Sequence, residues 1–223
     1  MAINKARTSP WMKTFIIILI LAFVSSIGYA SLGSCSTLFT QSTTPTGQTL
    51  SVVQQVSNQY KPGVDALSAQ VASDPTSYTA LVNLGNAYFD WAQTLSSPQP
   101  NQSTVSSEAL AAAMPLWAQA RDTYAKALQV KPGESPVTVD YAITAFYSGD
   151  TTAAIVAAEG VAKADPTFAQ AWLNLGIFYQ QSGESAKAIA AFQQYLKLEP
   201  DGQSASFVKE QLTALQGSTT TQP

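Results

Sequence analysis

From Ala171 to Gly183 the chain reads AWLNLGIFYQQSG, with large apolar residues at Trp172, Leu175 and Tyr179, three and four positions apart. That spacing places them on one face of a helix. Gly176 interrupts the pattern immediately after Leu175. A glycine inside a helix costs about 1 kcal/mol against alanine, so its presence here predicts a close approach by a neighbouring helix. A similar stretch, ALVNLGNAY, carries Leu81, Leu84, Gly85 and Tyr88. Further on, WAQARDTYAKALQVKP spaces Ala120, Tyr124 and Ala127 as a helix, and SASFVKEQLTALQ does the same with Phe207, Val208, Leu212 and Leu215.

Prolines punctuate these helices at a fixed interval. Pro132, Pro166 and Pro200 lie 34 residues apart, each ending a helix-like run: ALQVKP, VAKADP and YLKLEP. Proline disfavours helical geometry in the residue before it, so these are recurring helix stops. Turns fall midway, at SGD (Ser148 to Asp150) and around Gly183 in QQSGES, where a glycine can take the left-handed conformation that ends a helix.

Laid on this period, 169–202 holds Trp172, Leu175, Gly176, Tyr179, Ala188, Phe192 and Pro200. Those residues and spacings resemble the tetratricopeptide repeat, a 34-residue helix-turn-helix unit. Tyr195 departs from the family pattern, standing where a small residue is expected, and predicts locally looser packing. One period earlier, 135–168 keeps Tyr141, Ala142, Ala145, Ala154, Ala158 and Pro166 but lacks the tryptophan, the glycine and the large second-helix residue. The first unit, 78–134, has both half-signatures separated by about 23 extra residues. The insertion contains SSPQPNQSTVSS, read as a surface loop, and EALAAAMP, read as an added turn before Pro115 opens the second helix.

The resemblance implies an all-α, helix-turn-helix stack (α-solenoid) of about three repeats over 61–216, closed by a terminal helix at 203–216 and followed by a flexible tail at 217–223. VDALSAQVASDP, before the first unit, reads as half a repeat capping the stack. Residues 34–60, rich in Ser, Thr and Gln at their start, read as a linker.

Ahead of the linker the charge pattern changes. Lys5, Arg7 and Lys13 lie in a basic segment, 1–13, and no charged residue follows until Lys61. Residues 14–33, TFIIILILAFVSSIGYASLG, are uncharged and long enough to span a bilayer as a helix. The basic flank predicts a single-pass anchor with its N-terminus inside and the repeat domain extracytoplasmic. Two other readings fit the same residues. The short apolar run Phe15 to Val24 suits a signal peptide cut after the small residues Gly28 and Ala30. Leu32-Gly33-Ser34-Cys35 resembles a bacterial lipobox, which would make Cys35, the only cysteine, a lipidation site and the protein lipid-anchored.

Composition narrows the chemistry. The chain has no histidine and a net charge of −3, which removes the usual zinc ligands, histidine bases and any basic field for nucleic acid. No phosphate-binding glycine loop is present. Asp65, Asp74, Asp165 and Asp201 read as turn and helix-end residues, and Trp172, Tyr179 and Phe192 as core. No catalytic residue, metal site, cofactor or small-molecule substrate is predicted.

In proteins of this resemblance the concave face built by first helices holds a peptide or helix of another protein. The groove positions carry over to Val82, Asn83, Asn86 and Phe89 in the first unit, to Val139, Asp140, Ile143 and Phe146 in the second, and to Leu173, Asn174, Ile177 and Gln180 in the third. This surface is apolar with amides and lacks the lysines and arginines that clamp a carboxylate. The expectation is a noncatalytic, membrane-tethered scaffold for a protein partner in an envelope complex. The alternatives are a holdase for exported chains and a permanent structural subunit. Part of the groove could be filled by the insertion or the terminal helix.

Overall fold

Ser51 opens the first helix with a reciprocal capping box: its hydroxyl accepts from the Gln54 N–H, and its own N–H donates to the Gln54 side chain. A computed structural model of the chain describes residues 50–99 and 103–219, all within one unit, Thr49–Pro223. These residues form helices α1 (Val52–Ser73), α2 (Tyr78–Leu95), α3 (Ser107–Val130), α4 (Ser135–Tyr147), α5 (Thr151–Ala164), α6 (Ala169–Gln181), α7 (Ser185–Leu198) and α8 (Ala205–Thr219). No strand occurs among the described residues.

Every helix packs against its sequence neighbours, and α4 also touches α6 and α1 touches α3. Helix pairs therefore stack side by side, with first helices α2, α4 and α6 in one row. Gly149 (φ 94°) and Gly183 (φ 76°) make the midway turns, a backbone conformation that other residues rarely adopt. Asp74 and Asp165 each accept the N–H of the residue two places on, across a proline, so they serve turns as their position implied. Asp65 differs: it lies inside α1 and pairs with Lys61 at 2.6 Å.

The interior glycines are explained by what faces them. A Cβ at Gly85 would lie 2.6 Å from Cε1 of Tyr124, and one at Gly176 would strike the Phe192 ring. Tyr124 and Phe192 are buried, so each ring fills the space that its glycine leaves. One period before Gly176 and Phe192 stand Ala142 and Ala158, both buried. The degenerate repeat thus replaces a small–large pair with a small–small one.

Several expectations need correction. Residues 52–60, assigned to a linker, already belong to α1, a single 22-residue helix that also contains most of the half repeat read from VDALSAQVASDP. The terminal helix runs from Ala205 to Thr219, beyond the expected end at 216. Pro115 does not open a helix but lies inside α3. The insertion is mainly helical extension: α2 and α3 have 18 and 24 residues, against 13 and 14 in α6 and α7. Its hydrophobic residues Leu95, Ala109 and Ala113 pack in one cluster with Val56 of α1, Ala92 and Trp117. Tyr195 does not loosen its repeat; it is buried, with its hydroxyl beside the side-chain-free Gly202. The segment 14–33, Cys35 and the last residues of the tail lie outside the described residues. Among the described residues, no helix is long and apolar enough to cross a membrane.

Candidate functional site

The row of first helices creates a groove, and the extended α2–α3 pair walls one side of it. At its centre is a cavity of about 310 Å³. Five of the expected groove residues meet there: Phe89 from α2, Ile143 and Phe146 from α4, and Asn174 and Ile177 from α6. The cavity also takes Gln93, Ser96, Trp117, Tyr147 and Phe178, none of which the repeat register singled out. Trp117 stands at the start of the repeat's own second helix, at one register position with Thr151 and Ser185, where the other units carry small polar residues.

The rings form a continuous series. Phe89 meets Trp117 edge-on at 5.2 Å between centroids, and Trp117 stacks on Tyr147 at 4.7 Å. Tyr147 meets Phe146 edge-on at 5.4 Å, and Phe146 stacks on Phe178 at 4.8 Å. Offset stacks and edge contacts of this kind fix ring orientation. Trp117 also donates from its indole N–H to the Ser96 hydroxyl. Tyr147 is 49% exposed, so one end of the series faces solvent while Phe178 anchors the other in the core. The result is a stiff apolar recess with polar groups at its rim.

The remaining expected groove positions have other roles. Val139 and Leu173 are buried in the core and present nothing to a partner. Val82 packs partly buried against the cluster around Leu81 and Tyr124. Asn83 is exposed, and Asn86 accepts a 2.7 Å hydrogen bond from the Tyr124 hydroxyl. Asn174 donates its amide to the Gln170 carbonyl, 2.8 Å away. Gln180 donates to Gln211 on α8, so the terminal helix occupies that end of the groove.

Asp140 is half-buried and titrates abnormally high. Burial, first, and the nearby charge of Asp90, second, push its pKa up to about 6. The same two acids and, above all, burial raise the Tyr124 hydroxyl well beyond its ordinary value. Because the folded state holds the Asp140 proton more tightly than the unfolded chain, this residue's contribution to stability falls as pH rises from about 4 to about 6. Asp140→Asn should therefore match the wild type in stability near pH 4 and exceed it above pH 6. Chemical denaturation across that range checks this, and equal stabilities at pH 7 would contradict it.

A larger cavity, about 500 Å³, opens elsewhere between α5, α6 and α7. Trp172 and Tyr179 line it; of the three aromatics assigned to the core, Tyr179 and Phe192 are buried there and Trp172 is half-buried against it. Its polar groups already serve one another. The Tyr179 hydroxyl donates to Glu159, and Lys187 pairs with Glu184 while lying 5.0 Å over the Tyr179 ring. Trp172 donates to the Pro166 carbonyl. Among the described residues no group of three or more His, Cys, Asp or Glu could hold a metal ion.

Comparison with known proteins finds a family match over part of the chain and similar folds over most of it. Residues 145–209 match the family model described as tetratricopeptide repeat. That stretch, 65 residues, spans α5 to α7 and the start of α8. The chain is similar in structure to MamA, with a TM-score of 0.57 and 16% identity over 76% of this chain and 85% of that one. It is also similar to TTC0263, a thermophilic tetratricopeptide repeat protein of Thermus thermophilus, with a TM-score of 0.52 and 15% identity over 73% and 75% of the two chains. A third similar structure is the first tetratricopeptide repeat domain of Spaghetti (RPAP3), bound to an HSP90 peptide, SRMEEVD. Its TM-score is 0.51, with 16% identity over 66% of this chain and 97% of that one. No match is found among curated proteins. The family match covers the degenerate second repeat from Ala145 onward as well as the third.

Proposed function

We propose that the protein is a noncatalytic scaffold whose concave groove takes a peptide or helix of another protein, and that 14–33 tethers it to the extracytoplasmic face of the membrane for assembly of an envelope complex. The observation that carries the binding reading is the aromatic cavity at the centre of the groove. Its volume suits one large side chain, and its walls mix aromatic and aliphatic side chains with the hydroxyls and amides of Ser96, Ser97, Gln93 and Asn174, which can fix the register of a bound backbone. In the similar Spaghetti domain a peptide is bound, which supports the same use of this fold here. The tether rests on the uncharged segment and its basic flank.

Cell fractionation and gentle detergent extraction test both parts. The whole chain should sediment with membranes and bring down one partner in fixed ratio, whereas a chain starting at Gln48 should be soluble and helical. Membrane retention of that shorter chain without the partner would count against the tether. Extraction of the whole chain with no associated protein would count against the scaffold. An unchanged intact mass on replacing Cys35 by serine, beyond the substitution itself, would exclude lipid on that residue.

A further inference from the structure

On α3, Trp117, Arg121 and Leu128 are spaced by four and seven positions and so lie on one side of the helix. That side meets α4. Trp117 stacks on Tyr147, Arg121 donates to the Ser148 hydroxyl, and Leu128 packs in the cluster that takes in Val137 and Tyr141. Toward the N-terminus of α3 the same spacing continues to Met114 and Leu110, but α4 has already ended at Tyr147, opposite Trp117. Met114 is accordingly 51% exposed and Leu110 47%. Ala111 and Pro115 beside them are exposed too, and no charged residue stands between Glu108 and Arg121. The turns that α3 adds before Trp117 thus carry an uncharged apolar face that continues a packed helix–helix seam past the end of its partner helix. Through Trp117, which lines the groove cavity, this face adjoins the recess itself.

What covers the seam over the rest of its length is a helix, and its side chains recur every 4.5–6 Å or so along the axis, the spacing that another helix meets with its own three- and four-residue repeat. An extended peptide gains less here, because the backbone groups of α3 are bonded within the helix and present no sheet edge. A second copy of the chain would gain less as well, since a stable interface takes about 20–30 residues a side. Resting on the groove reading above, we propose that the bound partner is an amphipathic helix that lies against the added turns of α3, over Met114 and Leu110, and places one large apolar side chain in the adjoining cavity. Its contact face is uncharged, to match 109–120 of α3. The lengthened α2–α3 pair is then the part of the domain that selects a helix over an extended segment.

Selection of random peptides of about 20 residues, long enough to form a helix once bound, on the whole, detergent-solubilised chain supplies the probe. Recovered binders should carry apolar residues at three- and four-residue spacing and should gain helical circular dichroism when mixed with the chain. Their affinity should fall about tenfold or more in Leu110→Gln/Met114→Gln, which keeps good helix formers at two exposed positions. It should be unchanged in Val130→Gln, exposed at the far end of the same helix. Phe146→Ala probes the cavity separately. Binders lost in Phe146→Ala but indifferent to the glutamine pair, or binders that gain no helix, would overturn the helical partner on α3 and leave the groove standing. Binders indifferent to every substitution, or no enrichment over an unrelated protein, would overturn the groove as well. Self-association that disappears in the glutamine pair would place a second copy of the chain on this face and overturn the proposal.

Discussion

Phe192→Ala is expected to cost about 3–5 kcal/mol of stability, the largest effect of any substitution considered in the repeat domain. Phe192 is fully buried, and its ring occupies the space left by the missing side chain of Gly176. Removing the ring leaves a cavity between α6 and α7 that the surrounding helices cannot fully close. Filling the same space from the other side, Gly176→Leu should cost about 1–3 kcal/mol by overpacking, because its Cβ alone collides with the ring. The two changes address one volume, so they must not add. In the Phe192→Ala background, Gly176→Leu should be neutral or stabilising, with an interaction energy of about 0.5–3 kcal/mol. Thermal and denaturant melts of the four proteins measure it, and strictly additive losses would show that glycine and ring are not in contact.

Phe89→Ala/Phe146→Ala should weaken partner capture by about 1–3 kcal/mol, or roughly five- to 150-fold. Both rings line the cavity from different helices, and each holds another aromatic in place: Phe89 meets Trp117, and Phe146 stacks on Phe178. Truncating them removes apolar contact area and also loosens the recess. Because Phe146 leans on the core, the variant's melt and helicity must be compared with those of the wild type before binding is scored. Val156→Ala on α5, at a residue 63% exposed and outside the groove cavity, is the matched control and should bind normally.

What could be read along the chain was whatever repeats with its own period. Gly176, Phe192 and the stops at Pro132, Pro166 and Pro200 announce helix pairs because each is a local consequence of close packing or of a proline. Five of the expected groove residues, Phe89, Ile143, Phe146, Asn174 and Ile177, come from three register positions of the first helices and converge on one cavity. Val139 and Leu173 come from a fourth, and neighbouring helices cover them, which spacing along one helix does not reveal. Leu95 was illegible for a different reason: it lies in a helical extension that replaces an expected loop. Trp117 opens a helix that the register does mark, but nothing in the spacing says that its ring turns into the groove.

The central claim is that the partner lies in the groove, against the aromatic cavity. Its most direct test places a photo-crosslinking phenylalanine analogue at Gln93, at the mouth of that cavity, or at Val156, exposed on α5, in the whole chain on intact membranes. Irradiation should give a single partner adduct from position 93 that disappears in the Phe89→Ala/Phe146→Ala background, and none from position 156. An adduct from position 156 alone, or one from position 93 that survives the double alanine substitution undiminished, would contradict the account.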